Sequence, residues 1–199
     1  MTSIAIGHLL RANTSGCTIG CKVATQDAPI FGQMVRIPLE KGIQIFGLVY
    51  EIHIDDDGLV RQLVSAPDIS EEVIADNRTN RNMPIEMSVV FIGWEQGQTL
   101  WQTRVPRPPL SLDQIFLCAD SEVVSFTSNG KFGYLRSLMR NEDLPITDLL
   151  TAHFYQAMNA HTKMASGLNV EKALREVISL AKDDYPQLMD VLSTISEII

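Results

Sequence analysis

Between Met34 and Ile54 the chain reads MVRIPLEKGIQIFGLVYEIHI, two runs in which apolar and polar residues alternate on either side of a short break at Glu40, Lys41 and Gly42. Alternation with a period of two marks a strand with one buried face, and so short a break makes the pair a tight hairpin. The same punctuation continues up to about residue 118. SIAI precedes Gly7, and CTIGCKVAT runs into the turn QDAP. LVRQLV follows the loop tip DDDG, PIEMSVVFIGWEQ and TLWQTRV form a second hairpin through Gly97, and QIFLCA is a last strand. One element breaks the series. Asp68 stands three residues before Glu71 as a capping box, which predicts a short helix or an excursion across a barrel end, with a polar loop from Asn77 to Asn82. VPRPPL, Val105 to Leu110, must run extended as a brace before the final strand.

Gly47 lies in the middle of the strongest apolar stretch. Small barrels bend their strands sharply to close, and a glycine or a bulge supplies the bend. Gly47 therefore predicts a corner in a closed barrel, which an open sheet would not need.

After Asp120 the period becomes helical. A short helix is expected around Tyr134 to Arg140, and Pro145 opens a longer one. The stripe of that longer helix is Ile146, Leu149, Leu150, Phe154, Ala157, Met158, His161 and Met164, with Gly167 as its stop. Asn169 caps a helix striped by Val170, Ala173, Leu174, Val177, Ile178 and Ala181. Pro186 starts the last helix, with Leu188, Leu192, Ile195 and Ile199 along one side. The expected fold class is α+β. A small closed β-barrel of about six strands fills residues 1–120, and a helical region follows over 121–199.

The order of these features resembles the HAS barrel, the domain shared by the HerA DNA translocase and the catalytic subunits of rotary ATP synthases. The resemblance covers roughly residues 3–128 and rests on Gly7, Gly32, Val35, Gly47, Val49, Pro108, Pro109, Phe116, Leu117 and Ala119. It implies a barrel that crowns a ring of ATPase cores and serves as a docking surface for partners, including a nuclease in the DNA-processing systems. The chain departs from the family where the motor should follow. The only Gly-Lys pair is Gly130–Lys131, followed by Phe132, and Ser125 stands where the first glycine of a phosphate loop would fall.

Composition narrows the function classes. The formal charge is −8, with 9 basic and 14 acidic residues up to residue 120 and 7 and 10 after it. Neither part has the cationic balance that phosphate-backbone binding requires, so direct nucleic-acid binding is not expected. No apolar run approaches a membrane span, and the N-terminus does not read as a signal peptide, so a cytoplasmic protein is expected. The three cysteines are Cys17, Cys21 and Cys118. The first two share one strand face at a spacing of roughly 13 Å, too far for a disulfide, and read as buried apolar residues.

Candidate chemistry is sparse. His53 before IDDDG lacks the ligand spacing of a calcium loop, and His153 and His161 have no carboxylate between them for a metal site. TSNGK at residues 127–131 reads as a turn, and no cofactor is expected. Trp94 and Trp101 flank a hairpin turn with Arg104 and Arg107 close behind, either as barrel core with a cation–π contact or as a hot spot for a protein partner. The reading is a non-catalytic interaction and assembly module. It docks on a protein partner, with a motor ATPase as one choice, or self-assembles, with a dimer favoured through Leu192 and Ile195. The alternatives are a small-ligand-binding barrel and an accessory factor of a HerA-type DNA-processing system.

Overall fold

The computed structural model describes residues 5–22, 29–54, 65, 70–73, 84–129 and 132–197. Seven strands come first: β1 (Ala5–Ala12), β2 (Gly16–Lys22), β3 (Met34–Pro38), β4 (Ile43–Ile54), β5 (Pro84–Gln96), β6 (Thr99–Trp101) and β7 (Gln114–Leu117). Five helices follow: α1 (Asp120–Thr127), α2 (Gly133–Met139), α3 (Ile146–Lys163), α4 (Val170–Leu180) and α5 (Tyr185–Ser196). The strand order β2-β1-β7-β3-β4-β5 closes on itself through an antiparallel β2–β5 pairing, so six strands form a barrel and β6 extends one corner. The fold class is α+β, as the patterning required.

Closure depends on bulges. Phe46 of β4 faces Gly93, but the next residue, Gly47, faces Phe91, which leaves Ile92 as an extra residue on β5. A Cβ on Gly47 would collide with Val89 Cγ1 and stand 3.0 Å from the Val90 carbonyl oxygen. The strand bends where it carries no side chain. Gly7 marks a register shift between β1 and β7, and a Cβ there would strike the Gly20 carbonyl. Gly32 lies in the turn before β3 with φ +79°, where a Cβ would meet Ala152 of α3 at 2.5 Å.

The apolar residues form two bodies. Leu9, Ile19, Val35, Ile45, Met87 and Ile115 fill the barrel. Met34, Phe46, Leu48, Val90 and Ile92 point outward and pack under Phe126, Tyr134, Leu135, Leu149, Leu150 and Ile195. The stretch Ile45 to Val49 is apolar throughout because both of its faces are covered. The helices are thus one wall of a shared core.

Several details differ from the sequence reading. Helix α1 begins at Asp120, directly after the last strand, where the pattern was too weak to place it. Its first turn is organised by Glu122, which accepts from the Ala119 amide at 2.8 Å and pairs with Arg36 at 2.9 Å. The strand expected over TLWQTRV stops at Trp101, because the buried Gln102 side chain turns to bond Phe126 O and the Gly133 amide at 3.0 and 2.8 Å. Helix α3 ends before Gly167. Ala165 takes the left-handed position, while the Ser166 and Ala165 amides donate to His161 O and Thr162 O. Asn169 accepts from the Lys172 amide at 2.9 Å, and Asp184 from the Gln187 amide at 3.1 Å. Within residues 68–82, where a short helix or an excursion is expected, only residues 70–73 are described, and 71–73 are helical. The strand LVRQLV, the loop tip at 55–58, Gly130–Lys131 and Ile199 lie outside the described residues. No helix among the described residues is long and apolar enough to cross a membrane.

Candidate functional site

The turn joining β1 to β2 builds one wall of a polar cleft. Asn13 Oδ1 accepts from the Ser15 and Gly16 amides at 2.6 and 3.0 Å, an Asx turn that closes the hairpin. Ser15 O accepts from the Phe91 amide at 2.8 Å, and a Cβ on Gly16 would strike the Val89 carbonyl, so this turn sits directly on β5. The opposite wall is the link between α2 and α3, where the Asp143 amide donates to Asn141 Oδ1 at 3.2 Å. Between them lies a cleft of about 740 Å³. Arg11, Arg104 and Arg140 line it, each exposed.

The residues singled out in the sequence do not form one surface. Trp94 and Trp101 stack at 4.1 Å between ring centroids with 16° between planes, and Trp94 packs against the barrel interior. Arg104 lines the cleft, whereas Arg107 Nη2 donates to Glu40 O at 3.4 Å beside the β3–β4 turn. A cation–π contact does occur, but it places Arg36 over Phe116 at 4.9 Å. On α5, Ile195 and Val191 are buried in the chain's own core and Leu192 is half-buried. The large apolar residues that α5 exposes are Tyr185 and Met189. Ile195 is therefore spent within the molecule. Apolar side chains, among them Leu9, Ile19, Val35, Ile45, Met87 and Ile115, fill the barrel interior.

The titratable groups inside the fold are structural in their surroundings. His153 Nε2 meets Tyr134 Oη at 3.0 Å in the apolar layer between helices and barrel. Burial lowers the His153 pKa to about 4 and pushes the Tyr134 phenol up. Thr127 Oγ1 donates to Val123 O at 2.7 Å, which leaves it to accept from His161 Nε2 at 2.8 Å. Ser166 Oγ then donates to Nδ1 at 2.7 Å. This chain of hydroxyls and imidazole closes the end of α3 and contains no carboxylate. Burial raises the Cys17 thiol to about 12 and raises Cys21 and Cys118 as well, so none is a ready nucleophile. Among the described residues there is no group of three or more side chains placed to hold a metal.

Sequence reasoning missed the cleft because its three arginines lie 93 and 36 positions apart along the chain. No spacing rule joins them. The one available signal was Asn13 before Ser15 and Gly16, a turn motif that marks a tight loop and says nothing of what faces it. No protein-family model matches this chain, and no curated protein matches it.

Proposed function

We propose that this chain is a non-catalytic interaction module, a HAS-like barrel, that docks on a protein partner through the turn before β7. The observation that carries the reading is the exposure of Leu110 and Leu112, 72% and 75% open to solvent, beside the half-exposed Leu10 on β1. These leucines stand on a fixed turn. Leu110 N donates to Asp113 Oδ2 at 2.8 Å, Leu112 N to Leu9 O at 2.8 Å, and Ser111 Oγ to Leu10 O at 3.2 Å. Leu112 holds φ +72°, a left-handed conformation that costs a branched residue strain. A pinned, strained turn that presents two leucines to water is suited to insertion into an apolar pocket, where each contributes roughly 1.5–3 kcal/mol. In the family that the chain resembles, the barrel is the docking surface of the assembly, which agrees with this use.

The test is the double variant Leu110→Ser/Leu112→Ser. Its thermal unfolding should match the wild type, because neither side chain is buried. Tagged wild type recovered from its native cell should carry a stoichiometric partner that the variant loses. Equal retention of that partner by both proteins rejects this turn as the docking surface.

A second reading, self-assembly, has its own observation. Tyr185 and Met189 are 68% and 47% exposed on the outer side of α5, with half-buried Leu192 completing an i, i+4, i+7 stripe. Light scattering should report a dimer for the wild type and a monomer for Tyr185→Asp/Met189→Asp. A monomeric wild type removes this interface. Ile195 is unsuitable for the test, since a charge placed there would lie inside the core.

A further inference from the structure

We infer that the cleft between the β1–β2 turn and the α2–α3 link binds a small, multiply charged phosphate-bearing ligand, such as a pyrophosphate group. The inference does not rest on the docking reading, and it involves none of the exposed leucines.

Its first support is charge placement. The protein carries a net charge of −8. Among the described residues Arg36, Arg136, Lys163 and Arg175 are paired with Glu122, Glu176, Asp120 and Glu171, while Lys41, Arg107, Lys172 and Lys182 stand without a carboxylate partner and outside the cleft lining. Arg11, Arg104 and Arg140 make no ion pair among the described residues, yet all three line one cleft. The lining holds a single carboxylate, Asp143, so a positive excess remains. Like charges gathered without a counterion repel one another, and a bound anion removes that repulsion.

The second support is the preformed wall. Arg11 precedes a hairpin turn already locked by Asn13 and by the Ser15 O bond to Phe91, and Arg104 lines the same cleft, so this wall pays little backbone ordering entropy when a ligand arrives. Thr14, Ser15, Thr18 and Ser137 add hydroxyls to the lining. Planar guanidiniums that present paired N–H donors match phosphate oxygens, and hydroxyls complete such a shell.

Size and surroundings select the ligand class. The volume of about 740 Å³ is that of a small-molecule site, which runs from roughly 300 to 1,000 Å³. The acidic balance of the whole chain would repel the phosphates of a polymer running beyond the cleft, which disfavours DNA and RNA. A compact polyanion escapes that penalty.

Isothermal titration of the protein with pyrophosphate, at about 50 mM salt where screening is weak, tests the assignment. Saturable one-to-one binding that weakens as salt rises is expected. Arg11→Gln and Arg104→Gln should each raise Kd by about tenfold or more, through loss of charge-assisted hydrogen bonds. Both positions are exposed, and unchanged thermal unfolding of the variants confirms their fold. Lys182→Gln removes the same charge from a distant exposed turn and should leave Kd unchanged. Absence of saturable binding overturns the inference, as does equal weakening by Lys182→Gln, which would mean that only net charge matters. Citrate binding as tightly as pyrophosphate would overturn the phosphate assignment.

Discussion

Gly47→Val is expected to destabilise the protein by about 3 kcal/mol, the upper part of the range for overpacked cores. For a chain of this size that is a fall in the unfolding midpoint of about 6–12 °C. The cause is local and specific. The new Cβ enters the space that Val89 Cγ1 already occupies, while the Val90 carbonyl, 3.0 Å away, blocks retreat. Gly47 is also the residue at which the β4–β5 register shifts, so the backbone there cannot move without disturbing the bulge that closes the barrel. The collision is partly with a side chain, which permits a sharper test. Gly47→Ala alone should destabilise the protein, and adding Val89→Ala should recover part of that loss, a coupling that two independent sites would not show. A Gly47→Val midpoint within two degrees or so of wild type would refute the corner.

Acidification is expected to remove stability in a window set by His153. Its pKa in the folded protein is lowered to about 4 by burial, against an ordinary value near 6.5 in the unfolded chain. A base whose pKa falls on folding is protonated first in the unfolded state. Stability is therefore complete above about pH 6.5 and declines as the pH drops toward 4, by on the order of 3 kcal/mol in total. The imidazole meets only the Tyr134 hydroxyl and the aromatic edges of Tyr134 and Phe154 among its ring contacts, so no carboxylate compensates a proton there. His161, whose pKa is also lowered by burial, acts in the same direction. Denaturant unfolding at a series of pH values should show this decline, and His153→Gln should flatten most of it. An unchanged slope in the variant would assign acid sensitivity elsewhere.

Local and tertiary information separate cleanly in this chain. The sequence alone determined the elements whose cause is local. The alternation of residues 34–54 is a hairpin because a half-buried strand has period two, and Gly47 is a corner because nothing larger fits a sharp bend. Asn169 and Pro186 open their helices because capping and N-terminal proline preferences act within one turn. Where competing local signals were equal, the sequence misled. Gly167 was the obvious stop for α3, yet Ala165 takes the left-handed position, since His161 is anchored to Thr127 and Ser166 and fixes where the last turn must close.

Tertiary structure decided everything that joins distant segments. Strand β7 inserts between β1 and β3, and β2 reaches β5 to seal the barrel, pairings that no periodicity encodes. Packing of the helices on Phe46, Leu48 and Val90 buried Ile195 and turned Tyr185 and Met189 outward, with Leu192 half-buried between the two sides of α5. Gln102 ends β6 by bonding Phe126 O, and Arg104, two residues on, shares a cleft with Arg11 and Arg140. The reason is physical: propensity and periodicity act over a few residues, whereas burial and charge act between whatever surfaces closure brings together.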